Sequence, residues 1–70
     1  MPLVEMTLVE GRTPQQIRAL IHELTAAVVR TLEVPQQSVR VVVREVPKTH
    51  WAAGDVTIAE REQATTGESS

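Results

Sequence analysis

The sequence predicts an α/β (α+β) fold: a single βαβ unit followed by a short C-terminal hairpin. Three observations predict it. Residues 2–9 and 38–46 alternate in side-chain character with a period of two, and an apolar stripe recurs every three or four residues between them. Gly or Pro punctuates the junctions.

In the first strand, Pro2, Val4, Met6 and Leu8 form an apolar face, and Leu3, Glu5, Thr7 and Val9 a mixed one. Pro2 is tolerated because the first strand residue need not donate a ladder hydrogen bond. Glu10-Gly11-Arg12 breaks the run. Thr13 then opens a helix: its hydroxyl can cap the amide three residues on, Gln16 can reach back, and Pro14 occupies the first helical position. Ile17, Leu20, Ile21, Leu24, Val28 and Leu32 form one stripe over about five turns. Pro35 ends the helix, because the residue before a proline resists helical angles.

Ser38 to Val46 is the second strand, with Val39, Val41 and Val43 on one face and Arg40, Val42 and Arg44 on the other. A helix of this length between two strands is a crossover, so the strands are expected to be parallel. Pro47 stops the second strand, and Val56-Thr57-Ile58 suggests a small hairpin or edge strand. From Ala59 onward the chain is polar. The domain is expected to span residues 1–61, and residues 62–70 to form a polar tail that is disordered or docks elsewhere.

A chain of 70 residues makes a marginal core. There is no Cys, so disulfides and thiolate metal sites are excluded; His22 and His50 fit no metal motif. Oligomerisation remains as the stabilising device. Hydrophobic residues make up 41% of the chain but include one Trp and no Phe or Tyr, so the apolar stock is aliphatic. The formal charge is −2; residues 1–58 carry six basic and six acidic residues, and the excess lies in the last twelve. No basic stripe exists to neutralise phosphates, which argues against a nucleic-acid partner. No apolar run approaches the roughly 18–20 residues needed to cross a bilayer. With no signal-like amino terminus, a cytoplasmic protein without a membrane partner is the expectation.

No nucleophile triad, phosphate loop or metal cluster is present. Pro2 is either an ordinary second residue or, once Met1 is removed, a secondary amine held by the first strand. Arg12 and Arg40 carry guanidinium forks suited to carboxylates, or are surface charges. Arg44 reads more readily as an ion-paired surface residue. Trp51 either fills a gap between subunits or forms an apolar wall beside an amine, where it would favour the neutral form.

Four segments in order resemble the 4-oxalocrotonate (2-hydroxymuconate) tautomerase family: Pro2-Leu3-Val4, Glu10-Gly11-Arg12-Thr13, Ser38-Val39-Arg40-Val41, and Thr49-His50-Trp51 followed by Gly54-Asp55. The resemblance covers roughly residues 2–61. It implies a tautomerase-like fold assembled as a trimer of dimers, homohexameric or completed by a sister chain. It also implies a cofactor-independent isomerase acting on small unsaturated keto or enol acids of the kind met in aromatic-ring degradation. Pro2 would be the catalytic base, Arg12 a substrate-carboxylate ligand, Arg40 an arginine supplied by a neighbouring subunit, and Ser38 part of the same pocket. Trp51 stands where the family usually has Phe.

Two rivals remain at this level. A hydratase or dehalogenase of 3-haloacrylate-type acids needs a further carboxylate near the aromatic wall, and Trp51-Ala52-Ala53-Gly54 has none before Asp55. A non-catalytic oligomeric module that binds carboxylates needs the arginines but has no use for a free Pro2 amine.

Overall fold

The computed structural model describes the backbone of residues 1–69 and the side chains of residues 1–63. Strand β1 (Leu3–Val9) leads through a turn to helix α1 (Pro14–Leu32), then to a 3-10 turn (Gln36–Ser38) and strand β2 (Arg40–Val46). A second 3-10 turn (Lys48–His50) precedes a hairpin of β3 (Ala52–Ala53) and β4 (Val56–Thr57), and helix α2 (Ile58–Ser69) follows directly.

The predicted βαβ unit is present. β1 and β2 pair in parallel, from Leu3 opposite Arg40 to Val9 opposite Val46. The ladder is extended at both ends, where the Arg40 N–H donates to the Pro2 carbonyl and the Glu10 N–H to the Val46 carbonyl, each at 2.9 Å. Val4, Met6, Leu8, Val41 and Val43 are half-buried, as are Ile17, Leu20, Leu24 and Val28 of α1. The opposite sheet face stays open: Leu3 is 56% exposed and Val42 40%. Among the described residues no side chain is fully buried.

The start of α1 follows its local chemistry. The Gln16 N–H donates to Thr13 Oγ1 at 3.0 Å, and the Thr13 N–H to Gln16 Oε1 at 2.9 Å. The two bonds satisfy donors that a helix start otherwise leaves unpaired. Its end differs in mechanism from the expectation. The helix stops at Leu32 because Glu33 adopts left-handed angles (φ 55°, ψ 50°) and returns its N–H to the Val29 carbonyl. Pro35 lies beyond that cap.

One further expectation is corrected. The second strand begins at Arg40 and not Ser38, because the Ser38 N–H and hydroxyl both donate to the Pro35 carbonyl, at 3.0 and 2.7 Å, and curl residues 36–38 into a turn. The polar segment from Ala59, expected as a tail that is disordered or docks elsewhere, runs along its backbone as α2 as far as Ser69; Ser70 lies outside the described residues. Thr57 and Glu60 supply the reason. The Thr57 N–H and hydroxyl donate to Glu60 Oε1 at 2.8 and 3.0 Å, and the Glu60 N–H donates to Thr57 Oγ1 at 3.1 Å, a second capping box.

The hairpin turns through Gly54 and Asp55, both at positive φ (59° and 65°), as the tight two-residue turn requires. The hairpin and α2 pack mainly on each other and on the turn at Lys48–His50. Among the described residues no helix is long and apolar enough to cross a membrane.

Candidate active site

The expected site residues fall into two groups. Pro2, Ser38 and Arg40 gather where the strands begin. Pro2 is half-buried and continues the alternation of Val4 and Met6, so it belongs to the α1 side of the sheet. Arg40 shares the opposite, open face with Val42, and its Nη1 donates to the Gln37 carbonyl at 2.7 Å. The backbones of Pro2 and Arg40 are thus bonded to each other, while alternation sends their side chains to opposite faces. Ser38 is half-buried and its hydroxyl proton is engaged by Pro35. Met1, 85% exposed, precedes Pro2, and with Met1 attached the Pro2 nitrogen is an amide.

Arg12 lies where the strands end. Gly11, at φ 127°, makes the bend out of β1 that a residue with a Cβ rarely adopts, and Arg12 follows it exposed. It lines a hollow of about 370 Å³ with Pro14, Ile17, Arg18, Ile21 and Glu45. Trp51 lies on the chain after β2 ends, 38% exposed, its carbonyl accepting the Ile58 N–H at 2.9 Å. The six steps from Leu3 to Val9 correspond to about 20 Å at the usual rise of a strand. One protomer therefore does not bring Pro2 and Arg12 together.

Arg44 forms an ion pair with Glu5 across the sheet at 3.1 Å, with both side chains about half exposed. Such a pair is screened by solvent and contributes little. Its partner is Glu5 and not its chain neighbour Glu45. His22 and His50 are exposed, and among the described residues no group of three His, Asp or Glu comes together to hold a metal. The Glu60 carboxyl is held below its usual pKa, chiefly by the Thr57 N–H and then by the Thr57 hydroxyl. The grouping of Arg18 and Glu45 with Arg12 was not foreseen. Their separations along the chain, six and thirty-three residues, match no local period, and only the crossover brings them to one hollow.

The βαβ unit with a short hairpin is the architecture of a small tautomerase, as comparison with known proteins shows. The family described as tautomerase enzyme matches residues 2–61. A probable tautomerase of Ralstonia nicotianae is 52% identical over 56 residues, covering 80% of each chain. A 2-hydroxymuconate tautomerase of Stutzerimonas stutzeri is 41% identical over 54 residues, 77% of this chain and 86% of that one. Among solved structures, a 4-oxalocrotonate tautomerase isozyme from Methylibium petroleiphilum superposes with a TM-score of 0.87 at 40% identity, covering 90% of this chain and 98% of its own. The chain belongs to the tautomerase family, and it is an isomerase.

Proposed function

We propose that this enzyme, once Met1 is removed, converts 2-hydroxymuconate-type dienols to conjugated 2-oxo acids by proton transfer through Pro2. The neutral Pro2 nitrogen takes the proton of the 2-hydroxyl. That O–H bond breaks, a carbonyl forms at C2, and the conjugated electrons move toward C5, which receives the proton back from the prolinium. Arg40 stabilises charge building at the 2-oxygen, and Arg12 holds the far carboxylate and draws electron density toward it. The base must be neutral to act. Nearby guanidiniums and the apolar face of Trp51 both disfavour the ammonium form.

The observation that carries this reading is the separation of Pro2 from Arg12 along a strand with an unpaired edge. β2 occupies one edge of β1 and, among the described residues, no strand occupies the other. A second copy laid antiparallel along that edge would bring its Arg12 end beside Pro2. Arg40, on the open face, is available to a protomer packed against that face. Dimers formed by edge pairing and joined through their open faces support a trimer of dimers, in which each pocket draws on several chains.

The test is the ultraviolet change on ketonisation of 2-hydroxymuconate, followed with protein whose amino terminus has been mapped by intact mass. Pro2→Ala is expected to lower turnover by about 10²–10⁴-fold, the range of a positioned proton-transfer group. Assembly, followed by sedimentation, is expected to be unchanged. Undiminished turnover in that variant defeats the assignment.

A further inference from the structure

Arg12 shares its hollow with a second guanidinium that the mechanism above does not use. Ile17 and Ile21 give the hollow an apolar lining, and the three charged groups bordering it are Arg12, Arg18 and Glu45. The ion pairs among the described residues are Arg44 with Glu5 and Lys48 with Glu62. Neither Arg12 nor Arg18 has a hydrogen-bonding or ionic partner there, and Glu45 pairs with neither. Two cations and one anion leave one net positive charge beside an apolar wall. Two unengaged forks beside aliphatic carbon suit a ligand with a carboxylate at the end of a flat hydrocarbon chain.

We propose that Arg18 is a second carboxylate-recognition residue, sharing with Arg12 the distal carboxylate of the substrate and selecting unsaturated diacids over monoacids. Glu45 opposes that selection, because its charge repels the same carboxylate. The proposal rests on the reading of Arg12 as a substrate ligand.

The experiment compares 2-hydroxymuconate with the monoacid 2-hydroxy-2,4-pentadienoate in the wild type, Arg18→Ala, Arg18→Lys and Glu45→Gln, each checked for native circular dichroism. Arg18→Ala is expected to raise KM for the diacid about tenfold, as loss of a charge-assisted hydrogen bond does, with kcat and both monoacid constants little changed. Arg18→Lys recovers part of the loss, since charge returns without the fork, and Glu45→Gln lowers the diacid KM. An unchanged diacid KM in Arg18→Ala, equal shifts for both acids, or a raised diacid KM in Glu45→Gln overturns the proposal. Calorimetric binding of adipate and hexanoate separates this outcome from failure of the reaction itself. A wild type that turns over neither enol defeats the tautomerase mechanism, and the adipate preference still decides on Arg18. A diminished preference in Arg18→Ala supports the role, and an undiminished one removes it.

Discussion

Arg12 and Arg40 look alike as residues, but the proposed mechanism gives them different work, and kinetics can separate the two roles. If Arg40 meets charge that develops only as the reaction proceeds, it should chiefly affect kcat; Arg40→Ala is then expected to lower it by about 10²-fold, with KM little moved. In the same proposal Arg12 binds a carboxylate present throughout, so Arg12→Ala should raise KM as well as reduce kcat. Steady-state measurements on both variants check this, and equal, small effects would reduce both to surface charges. Pro2 and Arg40 stood out in the sequence because their types are unusual where they stand: a proline heading a strand, an arginine among valines. Arg18 and Glu45 did not, since each is an ordinary polar residue until the crossover brings them to one hollow.

Local hydrogen bonding explains both what was legible in the elements and what was not. Thr13-Pro14-Gln15-Gln16 announced α1 by its capping box. Thr57-Ile58-Ala59-Glu60 carries the same pattern, but it sits at the end of a β-prone stretch and before a polar segment, so composition outweighed it. The end of α1 was hidden for another reason: a left-handed cap at Glu33, where glycine is usual, has no composition signal. The second box makes a prediction about pH. Glu60 is ionised more readily in the folded chain than in the unfolded one, because Thr57 donates to its carboxylate. Its contribution is therefore complete above the ordinary carboxylate range and is lost as pH falls through the lowered value. Far-ultraviolet circular dichroism should register loss of α2 helix in acid. Glu60→Gln, whose amide oxygen still accepts the bonds, should remove that component of the pH dependence.

At the scale of the whole molecule, the described residues enclose no fully buried side chain. The half-buried valines and leucines of one sheet face meet α1, while Leu3 and Val42 of the other face meet nothing among the described residues. Covering such side chains contributes roughly 1.5–3 kcal/mol each, a gain the separate chain forgoes. Thermal unfolding should consequently depend on protein concentration, the midpoint rising as the assembly is favoured. A midpoint constant over a hundredfold dilution, with sedimentation showing single chains, would contradict this. The expectation of partners came from length, aliphatic content and the absence of Cys. Which surfaces could meet was not legible, because that depends on which edge of β1 the crossover leaves open.

The stretch of backbone between Pro2 and Arg12 also has a genetic meaning. If the proposed pocket takes Pro2 and Arg12 from different chains, two defective versions of the gene, one altered at Pro2 and the other at Arg12, should rescue each other when their products are unfolded and reassembled together. With random mixing of equal amounts, about a quarter of the sites would draw both sound parts, each from the chain that kept it. Neither parent alone could form even one.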